Sequence, residues 1–333
     1  MVAYCNSELL DGKFLRTEDS GHFPLIVNTT ILNKESDFLY FTGFADEVCG
    51  SIEQQIKVTK ELGWKNIEAR NIAGRNLTDI SDQEFEEVYA KLKEAGVSIN
   101  CFGSAVANWA KSPTSDGDFQ KSIEELKRAI PRMQRLGTKM LRGMSFSIPE
   151  KDSLELENLV TEKLQVLVKM CEEAGIIYVH ENCMNYFSQS YEHMEKLLTR
   201  IDSPNFRIVF DTGNPVFSDN RMGQPPYEKQ NSWEAYQLLK DKIAYIHIKD
   251  GVFDHQESKM QYTFPGEGDG EVRRVLKDLL ASGYDGGISI EPHMGSVYHE
   301  LSNKEQSPDE YRYDVYVEYG RRIMKMVEEI KAE

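Results

Sequence analysis

The sequence predicts an α/β protein built as a (β/α)8 TIM barrel, and three observations carry that expectation. From about residue 38 onward one theme recurs: an amphipathic helical stretch, a small residue with Gly, then a short apolar run. Eight such runs are found when Phe38–Phe44 is taken as the first. No glycine-rich GxGxxG follows the first run, which favours a closed barrel over a dinucleotide-binding sheet. The chain of 333 residues suits a barrel of roughly 250 residues with additions.

Taken in order, the remaining junctions are LGWKNIEAR (62–70), AGVSINCFG (95–103), LGTKMLRG (136–143), AGIIYVHEN (174–182), PNFRIVFDTG (204–213), DKIAYIHIKDG (241–251) and SGYDGGISIEPH (282–293). Each apolar run has strand length, and several are rich in Val, Ile and aromatics. Where Gly precedes a run it suits the left-handed residue that closes a helix. Between the runs, Ile52 to Leu62 and Leu154 to Glu173 carry apolar residues at helical spacing. Ser81 with Glu84 forms a capping box opening a helix to Lys93, and Ser307, Pro308 and Glu310 open a last helix to Ile330. Strands alternating with helices imply parallel pairing through right-handed crossovers.

Residues 1–36 stand outside the repeat as an N-terminal extension, and 37–333 form the barrel catalytic domain. Within the extension, PLIVNTTIL (24–32) followed by NKESD suits a β-hairpin with Phe38–Phe41. Closing the bottom of the barrel is its expected role, with a partner-binding arm as the alternative.

A net charge of −16 repels nucleic acid and anionic lipid, and no basic patch offsets it. The first residues lack the apolar core of a signal peptide, and no run reaches membrane-spanning length. Five cysteines without a CxxC pair argue against a disulfide framework. A cytoplasmic enzyme is expected, with no nucleic-acid or membrane partner.

The informative polar residues follow the later runs. Glu181 ends the fifth, Asp211 the sixth, His247 and Lys249 lie in the seventh, and Glu291 ends the eighth. In a barrel those ends meet at one mouth, where active sites form. Singly, each has a plainer role: Asp211 as a helix cap, His247 as a core histidine, Lys249 paired to Asp250. Jointly, three carboxylates and one imidazole from four consecutive strands make an anionic set that asks for a cation. Such a set suits a hard or borderline divalent ion, Mn2+ first, then Mg2+, Co2+ or Fe2+.

The motifs VHENC, VFDTGNP, YIHIKDG and SIEPH, in this order, resemble the xylose isomerase-like barrel superfamily over about residues 38–331. The resemblance is strongest to its sugar isomerase and epimerase branch, which includes ketose 3-epimerases and inosose dehydratases. It implies that Glu181, Asp211, His247 and Glu291 ligate the metal, with Glu181 and Glu291 also serving as the catalytic acid/base pair. Asn214, Lys249 and His293 beside them are the expected substrate contacts. The GEGDG loop (266–270) also resembles the family's pattern, with a plain turn as its other reading.

Two departures bear on the substrate. The epimerases usually carry a histidine where this chain has Asn214, and their substrate-binding arginine has no counterpart in GVFDHQESK. The leading expectation is removal of a proton α to the carbonyl of a keto sugar, unphosphorylated, giving isomerisation or epimerisation. A lyase on the same scaffold is the alternative. It is either an inosose-type dehydratase or resembles the catalytic subunit of C-glycoside deglycosidases, which acts on 3-oxo-glycosides with a small β-rich partner subunit. A homo-oligomer or such a hetero-complex is the expected assembly. A repair endonuclease of the same superfamily is disfavoured, because that chemistry uses a histidine-rich multi-metal site and a basic surface, whereas only some of the seven histidines here lie near strand ends and the net charge is −16.

Overall fold

A computed structural model describes residues 39–297 and 307–333; the expected extension, residues 1–36, lies outside them. Eight parallel strands form one sheet: β1 (Tyr40–Gly43), β2 (Asn66–Ala69), β3 (Ser98–Gly103), β4 (Met140–Gly143), β5 (Ile177–Glu181), β6 (Phe206–Asp211), β7 (Ile243–Ile248) and β8 (Gly287–Ile290). Their hydrogen-bonded order runs β1, β8, β7, β6, β5, β4, β3, β2. The end strands β1 and β2 pack beside each other, so the sheet curls into a nearly closed barrel.

Helices intervene as the repeat requires: α1 (Ile52–Glu61), α2 (Asp82–Ala95), α3 (Asp116–Leu136), α4 (Leu154–Glu173), α5 (Tyr191–Ile201), α6 (Ser232–Leu239), α7 (Val272–Ala281) and α8 (Pro308–Ala332). Both expected capping boxes form, Ser81 with Glu84 and Ser307 with Glu310. Each satisfies helix-end N–H groups that would otherwise lack partners. Gly96 and Gly137 close α2 and α3 at φ 66° and 76°, a conformation a side chain resists.

Alternation along the strands sorts side chains into two environments. Tyr178, Phe210, Ile246 and Ile288 point outward into the large core beneath the helices. Val179, Val209 and Tyr245 point inward and, with Cys101, make a small apolar layer inside the barrel. One step of two further along each strand are Glu181, Asp211 and His247. The apolar layer is therefore the floor on which the polar residues stand.

Candidate metal centre

Four ligand-capable groups, from Glu181, Asp211, His247 and Glu291, converge so that one atom of each lies within 4.8 Å of the others, and all four residues are buried. His247 Nδ1 stands 3.6 Å from Glu181 Oε1, 4.0 Å from Asp211 Oδ2 and 3.8 Å from Glu291 Oε2. Nδ1, Asp211 Oδ2 and Glu291 Oε2 are each buried without a hydrogen bond of normal geometry. Unsatisfied polar atoms of this kind are costly unless something joins them. Among the described residues the two carboxylate oxygens have the Lys249 ammonium at 3.0 and 2.9 Å, and the oxygen-rich anionic set around Nδ1 fits a divalent cation of the oxygen-seeking kind.

Each of the four candidate ligands is held by its other atoms. Asp211 Oδ1 accepts from the backbone N–H of Gly213 (2.9 Å) and Asn214 (2.7 Å). The cap therefore uses one oxygen of this carboxylate and leaves Oδ2 facing the other three candidate ligands. Glu181 Oε2 accepts from Arg142 Nη1 at 2.8 Å. Glu291 Oε1 accepts from Arg70 Nη1 at 3.2 Å and faces His293 Nε2 at 3.3 Å. His247 Nε2 lies 3.1 and 3.0 Å from the two oxygens of Glu68, which is fully buried and also accepts from Ser289 Oγ at 2.6 Å.

Charges in this confined space shift one another's protonation. Burial raises the Asp211 carboxyl to about 6, against the pull of Lys249. Burial works against the charge of His247 too, but Glu68 and Glu181 outweigh it and lift the imidazole to about 10. For Glu181, burial opposes ionisation and is overcome, chiefly by Arg142, leaving the carboxyl at about 2.

The expected substrate contacts are all beside the quartet. Lys249 does not pair with Asp250; alternation turns it inward, 3.0 Å from Asp211 Oδ2 and 2.9 Å from Glu291 Oε2. Its ammonium also donates to Asn214 Oδ1 at 3.0 Å, and Asn214 Nδ2 reaches Glu181 Oε1 at 3.4 Å. His293 is half-exposed and has left-handed backbone at φ 53°. Glu47 clamps it twice, 2.9 Å from ring Nδ1 and accepting from its backbone N–H at 2.9 Å. A cavity of about 260 Å³ opens there, lined by Asp46, Glu47, Arg70, His293, Arg312 and Tyr316 among others. His180, by contrast, points out of the barrel onto Phe206 and Ser145 Oγ. Burial lowers its imidazole to about 4.

Asp250 has its own task. Its carboxylate accepts the backbone N–H groups of Gly251, Gly266, Gly268 and Gly270 at 2.9, 2.7, 3.2 and 2.9 Å. GEGDG is therefore more than a plain turn: it wraps the carboxylate at the end of β7. A Cβ on Gly268 or Gly270 would lie 2.5 or 2.8 Å from Asp250 Oδ1, too close to be accommodated.

A family model for the xylose isomerase-like TIM barrel matches residues 56–314. The chain belongs to that family. Among curated relatives, 3-dehydroshikimate dehydratase of Pseudomonas putida is 22% identical over 62% of this chain and 31% of its own length. Inosose dehydratase of Lacticaseibacillus casei is 27% identical over 41% of this chain and 47% of its own length. The chain thus spans less than half the length of either. Among solved structures, D-allulose 3-epimerase from Methylomonas sp., in complex with D-allulose, superposes with a TM-score of 0.63 at 18% identity. That match covers 86% of this chain and 96% of the other. Among the described residues of this family member, no helix is long and apolar enough to cross a membrane.

Three residues that strand-end reasoning passed over belong to this site: Glu68, Arg70 and Arg142. All lie in or just after β2 and β4, where the apolar runs are short. The signal was their alternation, as in Glu68 and Arg70 of NIEAR, which puts both inside the barrel.

Proposed function

We propose that this chain is a divalent-metal-dependent enzyme that removes a proton α to the carbonyl of a small keto sugar, leading to isomerisation or epimerisation. The observation that carries this reading is the convergence of His247 Nδ1 with buried carboxylate oxygens of Glu181, Asp211 and Glu291. Glu181, Asp211, His247 and Glu291 would hold the ion, with Mn2+ first among the candidates and Mg2+, Co2+ and Fe2+ after it. A bound ion supplies Lewis-acid polarisation of a substrate oxygen, making the neighbouring C–H more acidic.

The chain's own residues do the rest. With an ion held by the quartet, Lys249 would be free to donate to a substrate oxygen, alongside Asn214. Glu181 and Glu291 reach the reacting carbon from strands separated by β6 and β7, one to take the proton and the other to return it. His293, held by Glu47 at the cavity, contacts the outer part of the substrate. Burial of the quartet excludes bulk water and keeps these electrostatic interactions strong.

A second reading keeps the same proton abstraction and ends in loss of a β-substituent. The curated relatives named above are dehydratases, which favours loss of water over loss of a sugar-linked aglycone.

Keto sugars, inososes and 3-oxo-glycosides incubated with the Mn2+-loaded chain in D2O, then freed of metal for NMR, test both readings. Deuterium at the carbon next to the carbonyl with the carbon skeleton intact supports isomerisation or epimerisation, and an unsaturated product supports the lyase. Full turnover by exhaustively chelated protein sinks the metal-dependent reading.

A further inference from the structure

We propose that Glu68 is a positioning residue that sets the tautomer of His247, and with it the strength and selectivity of ion binding; this rests on the quartet being a metal centre. Glu68 is fully buried, and both of its carboxylate oxygens lie within 3.1 Å of His247 Nε2. The two nitrogens of an imidazole point away from each other, so Glu68 stands on the far side of the ring from the three ligand carboxylates. It is not a fifth ligand.

Its effect follows from the chemistry of the ring. A carboxylate only accepts, so Nε2 must carry a hydrogen towards Glu68. In the neutral ring that leaves Nδ1 as the lone pair, aimed at Glu181, Asp211 and Glu291. The opposite tautomer would present an N–H to the ion and place two lone-pair-bearing atoms face to face at Nε2. Ser289 Oγ donates to Glu68 Oε2 at 2.6 Å and fixes the carboxylate in turn. Phe44 and Tyr245 pack edge-on against the imidazole at 5.1 and 5.6 Å between centroids, which limits rotation of the ring. Each partner comes from a different strand or strand end, so the tautomer is determined by the barrel as a whole. Donation of Nε2–H to a carboxylate also makes Nδ1 a better donor, as outer-shell carboxylates do for histidine ligands.

Glu68→Gln keeps the shape but removes the charge, and its amide can donate to Nε2 and stabilise the wrong tautomer. Titration calorimetry of the full chain with Co2+ and Mg2+ compares the two ions on parent and variant. Co2+ draws more of its affinity from imidazole than the hard ion Mg2+ does. The expected result is a Co2+ Kd raised by about 10- to 100-fold and a Mg2+ Kd raised by a clearly smaller factor. Equal losses for both ions mean a merely structural role and overturn the proposal, as does no loss for either. If Glu68→Gln does not fold, Ser289→Ala loosens the same carboxylate and must show the same ordering of ions, with smaller losses. Failure of the parent chain to bind either ion would strike the metal-centre reading itself, a separate outcome from loss of the ion ordering.

Discussion

Glu181 and Glu291 are the same residue type at the same level of the barrel, yet they stand in different surroundings. Glu181 is closed in. Its partner Arg142 has a side chain 7% exposed and spends its second amino group on the carbonyl of Ser104. Glu291 faces the open side: its partner Arg70 is 22% exposed, stacks on Phe44 and also pairs with Asp46. His293 and the cavity complete that side. One mouth therefore has a sealed wall and a solvent-facing wall. Two glutamates that motif reasoning treats as an interchangeable pair differ in how readily a proton can come and go.

The largest expected effect on ion binding comes from residues the two walls share. Asp211→Asn or His247→Ala should weaken Mn2+ binding by about a hundredfold or more, since even outer-shell partners of metal ligands are worth about 10- to 100-fold. Fluorescence competition or calorimetry measures it. A loss below tenfold would mean that the two walls do not depend on a common ion.

Next are the arginines, which divide the walls. Arg142→Met leaves Glu181 buried without its cation and should cost about 3–5 kcal/mol of stability. Arg70→Met should cost clearly less, because Glu291 keeps His293 and Lys249 and solvent screens the gap. Urea unfolding of the metal-free variants compares them, and equal costs would erase the distinction between walls.

Per unit of pH, the smallest effect is the dependence of ion binding on acidity. His247, lifted to about 10 in the metal-free chain, carries a proton at neutral pH that an ion must displace from Nδ1. Affinity should then rise about tenfold per pH unit from about pH 6 towards pH 10, and more steeply below, where Asp211 also holds a proton. The sign for the metal-free fold is opposite. The raised His247 pKa contributes stability that is fully present below pH ~6.5 and lost as pH rises through its folded value. Calorimetry in buffers of different ionisation enthalpy counts the protons released.

The fold was legible because each helix–Gly–strand junction repeats the same chemistry, and the buried cluster of Glu181, Asp211, His247 and Glu291 because each member is a charged or imidazole side chain at the end of a buried run. Arg142 and Glu68 were harder to see. Inside short strands such as MLRG and NIEA they look like surface charge, and only closure of the barrel turns them inward. Partner choice was also hidden: Lys249 next to Asp250 in sequence points the opposite way, because neighbours in a strand face opposite sides. The expected hairpin and domain role of residues 1–36 fall outside the described residues.

The grip of GEGDG on Asp250 bears on how this barrel can be re-engineered. Loops at the strand ends of such barrels are commonly exchanged to alter what a mouth admits. Here the segment after β7 is tied through four backbone N–H groups to a carboxylate one residue beyond Lys249. A transplanted loop must arrive with glycines at the places of Gly268 and Gly270, or Asp250 must be replaced along with it. Otherwise the graft leaves a buried carboxylate short of donors next to the lysine that contacts two of the quartet. Loop and strand end are one cassette, and they can only be moved together.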